Sequence, residues 1–288
     1  MSEEHPYGIR LVVAYDGREF HGYQLQDKHR TVQGVLEETI AKMAGHPVRV
    51  RGAGRTDAGV HAMHQLVAFD AARNIPPRGW MLGLNVSLPD DLSIVSAASV
   101  PAGYDPRFDA KDKTYRYLVL FNEPRHPTLR HISWHMPHAR LTGPEFEGAP
   151  PLVDVKAMRE AAAVLVGRHD FAAFRASDDN RRTTIREIFH IKIEECALGH
   201  PELLSIEVRG QAFMKNMVRI LAGTLVDVGR NRRTPEEVRS LLTTGTVREA
   251  AGQTAPARGL TLMHITLGRR YPIDVVPDDA DVAPDDGD

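Results

Sequence analysis

At 288 residues, 42% hydrophobic and 6% aromatic, the chain holds enough apolar material for a sizeable core, spread over about two domains at ~150 residues each, and is not a disordered polymer. Its 36 Lys and Arg nearly balance 38 Asp and Glu, for a formal net charge of -2, and its one cysteine, Cys196, excludes an internal disulfide framework and multi-cysteine metal centres. No apolar run approaches the ~18 residues of a membrane span, the best candidate around Ile220 carrying Arg219 and Asp227, and Met-Ser-Glu-Glu-His opens the chain without the marks of a signal peptide, so a soluble cytoplasmic protein is expected.

In chain order, Ile9 to Tyr15 reads as a strand ending in the turn signal Asp16-Gly17. Val32, Val35, Leu36, Ile40 and Met43 follow helical spacing behind Thr31 as N-cap. Short strands are expected at Val48–Arg51 and Gln65–Phe69, flanking a glycine-rich loop, then at Leu92–Val100 and Lys113–Phe121. Residues 122 to 152, rich in proline and glycine, read as a long loop-rich insertion, a kind of segment usually functional or mobile. Asp154 is placed to cap a helix whose apolar face is Met158, Ala161, Ala162 and Leu165. Strands Ile185–Glu194 and Leu203–Arg209 follow, then a long helix from Met214 to Gly229, a capping box at Thr234-Pro235-Glu236-Glu237, and a last strand at Leu260–Leu267. Two runs of strands and helices without strict alternation indicate an α+β fold.

The near-neutral total conceals an asymmetry. Six aspartates fall at 278, 279, 281, 285, 286 and 288, in a tail with too little apolar surface to fold, and the 36 cations exceed the 32 acids that remain. Cations cluster at Arg181 and Arg182, at Arg230, Arg232 and Arg233, and at Lys111, Lys113 and Arg116. Such clusters suit a polyanion, because neutralising phosphates releases counterions, although a charge run is also an ordinary solvated face.

The segment from Arg51 to Ala62 is the most informative. Its glycines permit positive φ and close approach of a ligand, yet it is no dinucleotide fingerprint, since Asp57 stands where the third glycine belongs. Nor is it a P-loop, because Val60-His61 replaces Lys-Ser/Thr. It presents a carboxylate, Asp57, flanked by Arg55; alone, that is also an Asx-turn aspartate. On the helix from Met214, the stripe Met217, Leu221, Leu225 and Val228 is apolar, and Arg219 falls on the other side among Ala222, Gly223 and Val226. An arginine on a helix apolar nearly all round needs an anionic partner, and Asp57 is the candidate. His126, His131, His135 and His138 come without Cys or H-E-x-x-H and read as loop histidines, not a metal site; His61 and His64 are expected to be structural or to contact the polyanion.

GAGRTDAGVHA, residues 52–62, resembles the catalytic loop of the tRNA pseudouridine synthases of the TruA type, and the resemblance runs through most of residues 8–268. Tyr15-Asp16-Gly17 with Phe20, Gly22, Gln24 and Gln26 is similar to that family's first strand and loop, and Thr31-Val32-Gln33-Gly34 to the opening of its first helix. Leu84-Asn85 with Leu88-Pro89, Arg107-Phe108-Asp109-Ala110 and Lys113-Thr114-Tyr115-Arg116-Tyr117 also match. So do Gly167-Arg168-His169-Asp170-Phe171 with Phe174-Arg175, Phe213-Met214-Lys215-Asn216-Met217-Val218-Arg219, and Ala257-Arg258-Gly259-Leu260. Tyr23 departs from the pattern, standing where the family usually has tryptophan, and the acidic tail lies outside it.

The resemblance implies two related ferredoxin-like α+β halves, residues 6–112 and 113–271, whose antiparallel sheets join into one continuous sheet, with 272–288 as a disordered acidic tail. It implies an isomerase that converts uridines 38, 39 and 40 of the tRNA anticodon arm to pseudouridine, working as a homodimer. Asp57 matches the nucleophile, Tyr115 the tyrosine packed on the target uracil, Arg219 the basic partner of the aspartate, and Arg55 the arginine associated with extruding the base. Arg181, Arg182, Lys215, Arg230 and Arg232 are the cations expected to hold RNA phosphates. The reaction breaks N1–C1′ and forms C5–C1′ without redox change, so neither cofactor nor metal is expected. An aspartate near its ordinary pKa of ~3.9 is ionised at neutral pH and able to attack C1′ or C6, or to remove a sugar proton. A non-catalytic RNA-binding module and a carboxylate-dependent hydrolase are the competing readings; the second lacks the paired acids of glycoside hydrolases.

Overall fold

The computed structural model describes residues 6–122, 124–143, 151–179, 181–243 and 245–268, so the acidic tail expected at 272–288 lies outside the described residues. Strand β1 (Tyr7–Tyr15) ends at Asp16, whose carboxylate accepts from Arg18 N–H and turns the chain through one 3-10 turn. Helix α1 (Val32–Ala44) starts as expected: Gly34 N–H donates to the Thr31 hydroxyl at 3.2 Å, and Gly45, at φ 82°, ends it. Then come β2 (Arg51–Gly52), β3 (His61–Ala71), α2 (Pro77–Ser87), β4 (Leu92–Val100), the single turn α3 (Pro106–Asp109) and β5 (Ala110–Leu120). Residues beyond 120 contain β6 (Trp134–His135), α4 (Val155–Val164), β7 (Gly167–Asp170), β8 (Ile185–Glu194) and β9 (Leu203–Gly210). Helices α5 (Met217–Gly229) and α6 (Pro235–Ser240) and strand β10 (Leu260–Leu267) complete the described chain.

The principal strands form one sheet in the order β4-β1-β3-β10-β5-β9-β8-β7. Neighbours along it are antiparallel except at the join, where β10 runs parallel to β3 through Thr261–His61 and Leu262–Ala62 and antiparallel to β5. The last described strand therefore joins β3 to β5. The sequence boundary expected at 112/113 falls three residues into β5. Alternation along β5 sends Tyr115, Tyr117, Val119 and Phe121 into the main core with α4 and α5. Leu118 and Leu120 face the other way, under Leu129 and Ile132, and Trp134 pairs with Val119.

Several sequence expectations need correction. The strand expected at Val48–Arg51 is only the two residues Arg51 and Gly52, which pair with Ala68 and Val67. The helix expected from Met214 begins at Met217, because Asn216 takes a left-handed φ of 60° that interrupts helical geometry. Helix α2 has no counterpart in the sequence reading: it holds Gly79 and Gly83 and buries only Trp80 and Leu84, so its periodic signal is thin. Strand β7, Gly-Arg-His-Asp, carries no apolar alternation to announce it.

Helix α5 buries every residue except Arg219 and Asp227. Segment 250–255 lies against it: Gly252 N–H donates to the Thr224 hydroxyl at 3.0 Å and Ala255 N–H to Arg219 O at 3.2 Å. A methyl group on Gly223 would run into the Gln253 carbonyl. Gly223→Ala is therefore expected to destabilise the protein by about 1–3 kcal/mol, read as a lower Tm in calorimetry; an unchanged Tm would mean the 250–255 segment yields freely.

Candidate active site

The loop joining β2 to β3 is tied down on both sides of Asp57. Before it, Ala53 N–H donates to Leu66 O at 2.8 Å and the Gln65 amide donates to Gly54 O at 3.0 Å. Tyr23 N–H donates to Thr56 O at 3.0 Å, and the buried hydroxyls of Tyr15 and Thr56 share a 2.7 Å bond. After it, Val60 N–H donates to Asp57 O at 3.1 Å, closing a turn through Gly59 at φ 78°. His61 then has its Nδ1 accepting from Gly17 N–H while Nε2 meets the carbonyls of His131 and Arg258 at 3.1 and 3.2 Å, a structural role. The backbone carbonyl, not the carboxylate, makes the local turn, which disposes of the Asx-turn alternative.

The Asp57 carboxylate reaches across the junction to α5. The Asn216 backbone N–H at the helix N-terminus is near enough to favour its charged form, and its Oδ2 lies 4.0 Å from Arg219 Nη1. Arg219 is held in turn, donating from Nε to Ala255 O at 2.7 Å and from Nη1 to Asn216 Oδ1 at 2.9 Å. The arginine expected to need an anion meets the aspartate expected to supply it. The expectation of an ordinary pKa is corrected: burial, the largest influence, pushes Asp57 above the usual carboxylate range, against the pull of Arg219 and Lys215 and the Asn216 N–H. Magnitudes make the outcome reasonable. Two unit charges 4 Å apart attract by about 4 kcal/mol at an effective dielectric constant of 20, whereas desolvating an ion costs several.

Tyr115 is buried on β5, opposite Val208 and Leu262, with the ring of Phe213 edge-on at 5.3 Å. Asp57 is near enough to raise its phenol pKa further, beyond the larger effect of burial. Arg55 is exposed on the same loop and forms no ion pair among the described residues, so it flanks Asp57 in sequence without pinning it. Arg181 donates to Phe213 O at 2.7 Å, Lys215 pairs with Asp178, and Arg182 is exposed, all on the Tyr115 and Asn216 side. Arg230 and Arg232 are elsewhere: with Arg233 they surround the half-buried Asp227 at the far end of α5, about 16 Å along its axis from Arg219.

Beside Asn216 opens a cavity of about 450 Å³, bounded by Asp178 and Ser177 on one side and Arg248, Glu249 and Thr254 on the other. That volume is within the range of small-ligand sites, although neither Asp57 nor Tyr115 lines it. The four loop histidines do not converge. His135 bonds Asn122 O, His126 pairs with Thr128, and no group of three metal-capable side chains occurs among the described residues. Sequence reasoning missed the residues that hold the loop, chiefly Gln65, Thr56 and Asn216, whose polar side chains or backbone groups carry no periodic signal. Among the described residues no helix is long and apolar enough to cross a membrane.

An aspartate fixed beside an arginine at the seam of a continuous sheet, near a buried tyrosine, is the candidate active site of this chain. The family described as tRNA pseudouridine synthase matches residues 11–109 and 161–267, and the chain belongs to it. It is thus an isomerase acting on tRNA uridines. The chain is 42% identical over 259 residues to tRNA pseudouridine synthase A of Citrifermentans bemidjiense, covering 89% of this chain and 96% of that one. It is 44% identical over 258 residues to the protein so named from Pelobacter propionicus, covering 90% and 98%. Among solved structures, a chain of "Structure of H/ACA RNP bound to a substrate RNA containing 2'-deoxyuridine" aligns with TM-score 0.33 and 11% identity, over 90% of this chain and 48% of that one.

A carboxyl group whose pKa rises on folding binds its proton more tightly in the folded chain. Its ionisation therefore costs stability as pH climbs from the unfolded pKa through the folded one. Asp57→Asn is expected to raise Tm at pH 7, with the gain gone below pH ~3, where the carboxyl is protonated in both states. A lower Tm at pH 7 would mean that Arg219 outweighs burial.

Proposed function

We propose that the protein isomerises uridines 38, 39 and 40 of the tRNA anticodon arm with Asp57 as nucleophile, acting as a cytoplasmic homodimer. The observation that carries this reading is the Asp57 carboxylate, half-buried and fixed by Arg219 and the Asn216 N–H, close to the Tyr115 ring. In the division taken from sequence, residues 6–112 supply Asp57 and Arg55, and residues 113–271 supply Tyr115 and Arg219. The target positions follow from the TruA-type resemblance, and the relatives named tRNA pseudouridine synthase A support the same substrate.

The reaction needs a carboxylate that bonds transiently to the nucleoside while N1–C1′ breaks, the base turns, C5–C1′ forms, and the C5 proton leaves as N1 gains one. A nucleophilic Asp57 at C1′ or C6 supplies that bond. Extracting the target from its stack costs a few kcal/mol. Stacking on Tyr115 returns about 1–3 kcal/mol, and the exposed Arg55 is free to occupy the vacated place. The Arg219 guanidinium, held by Ala255 and Asn216, orients the carboxylate throughout.

Asp57→Ala is expected to yield no detectable pseudouridine when tRNA transcripts are incubated with the protein and mapped at 38, 39 and 40, while tRNA affinity stays within about threefold. Turnover near wild type would exclude Asp57 as nucleophile. Tyr115→Phe is expected to keep tRNA affinity and slow turnover, if its hydroxyl assists departure of the C5 proton; unchanged kinetics would exclude that role.

A further inference from the structure

Two residues before Tyr115 on β5, and so on the same side of the strand, stands Lys113. Its ammonium lies against the Asp57 loop: Nζ donates to Ala53 O at 3.1 Å, and it passes so close beneath Gly54 that a Cβ there would sit 2.5 Å from it. Among the described residues no carboxylate faces it. Its charged neighbours are Arg107, from the exposed turn α3, and Arg181, from the loop that bonds Phe213. An acid stands beside each flanking arginine but is already engaged: Asp105 accepts from the Arg107 backbone N–H at 2.8 Å, and Asp179, 3.5 Å from Arg181, accepts from the backbone N–H groups of Lys215 and Arg181. Burial and the two guanidinium groups hold the Lys113 pKa down at about 8. Two guanidinium groups beside a half-buried ammonium repel it in the free protein, and an incoming anion turns that repulsion into attraction.

We propose that Lys113, flanked by Arg107 and Arg181, binds a backbone phosphate of the RNA next to the nucleotide that stacks on Tyr115. The inference rests on the reading of the Asp57 loop as the site of uridine isomerisation and adds where the RNA backbone is gripped. The ammonium serves as a point charge, fixed by the Ala53 carbonyl. The exposed Arg107 and Arg181 complete the cradle from the two halves of the sheet. A neutral base would not offset three cations, whereas a phosphate would. Because Lys113 touches the loop backbone at Ala53 and Gly54, the same contact sets the depth at which the RNA seats relative to Asp57.

The test is binding of an anticodon-arm RNA across a series of salt concentrations, by the full-length protein and by Lys113→Met, which keeps an aliphatic stem under Gly54. Loss of one phosphate contact is expected to weaken binding about tenfold at low salt and to lower the slope of log affinity against log salt by about 1. RNAs carrying a single neutral methylphosphonate at each linkage flanking the target uridine locate the contact. One linkage should weaken wild-type binding by about the same factor, with no further loss in Lys113→Met. Arg107→Gln, at an exposed position, provides a second arm should Lys113→Met fail to fold, and is expected to lower the same slope. An unchanged slope in the folded variants, or equal methylphosphonate losses in wild type and variant, overturns the proposal. So does a fall in turnover with affinity intact, which would put Lys113 on the detached base instead. The readout is affinity, so it stands or falls separately from the turnover test on Asp57→Ala.

Discussion

The arrangement depends on one contest, between the burial of Asp57 and the charges brought to meet it. A carboxyl group withdrawn from water at the seam of the sheet drifts toward its neutral form, and Arg219, Lys215 and the N-terminal amide of α5 pull it back. Arg219 is itself a half-buried cation near a helix N-terminus, a position the helix dipole disfavours, and Asp57 offsets part of that cost. Burial still outweighs this relief at Asp57, whose carboxyl stays above the usual carboxylate range. The guanidinium is held by Ala255 and Asn216, so it does not swing into solvent and leave the carboxylate unpaired.

That contact joins distant parts of the chain, and the scaffold is built to bring them together. Asp57 comes from the β2–β3 connection and Arg219 from α5, and β10 is the piece that sets their separation, lying parallel to β3 and antiparallel to β5. The turn preceding β10 lies directly over the Tyr117 ring at Gly259, where a side chain would collide with it, while the Tyr117 hydroxyl donates to Pro256 O at 2.7 Å. Segment 250–259 is thus locked to α5 at one end and to β5 at the other. A shift of the last strand would move the carboxylate and the arginine apart, so core packing and site geometry are one problem here.

Legibility in the sequence followed the strength of local signals. Helix α1, the capping box of α6 and strands β1, β4, β8, β9 and β10 announced themselves through caps and alternation. The Asp57–Arg219 pair was also readable, because a charged residue on a helix otherwise buried all round has few places to find an anion. Helix α2 and strand β7 escaped because glycine and polar residues leave no periodic trace. The left-handed Asn216, which trims the start of α5 and turns its amide toward Asp57, is invisible to periodicity because it is a single backbone angle fixed by tertiary contacts. The raised pKa of Asp57 was likewise out of reach, since it measures burial that only the assembled halves create.

Charge clusters show the same limit more sharply. In sequence, Arg230, Arg232 and Arg233 look at least as suited to a polyanion as Lys113 does with its neighbours. In three dimensions the first group lies around Asp227, a half-buried carboxyl pushed up by burial and drawn down by those three arginines, so part of its charge faces one internal acid. Lys113 has none among the described residues, and the cations around it converge from α3 and from the 181 loop, far apart in the chain. A run of arginines therefore says little until the acids folded against it are subtracted. What is left over after that subtraction, beside Tyr115 and beneath the Asp57 loop, is positive charge that an anion near the site would offset.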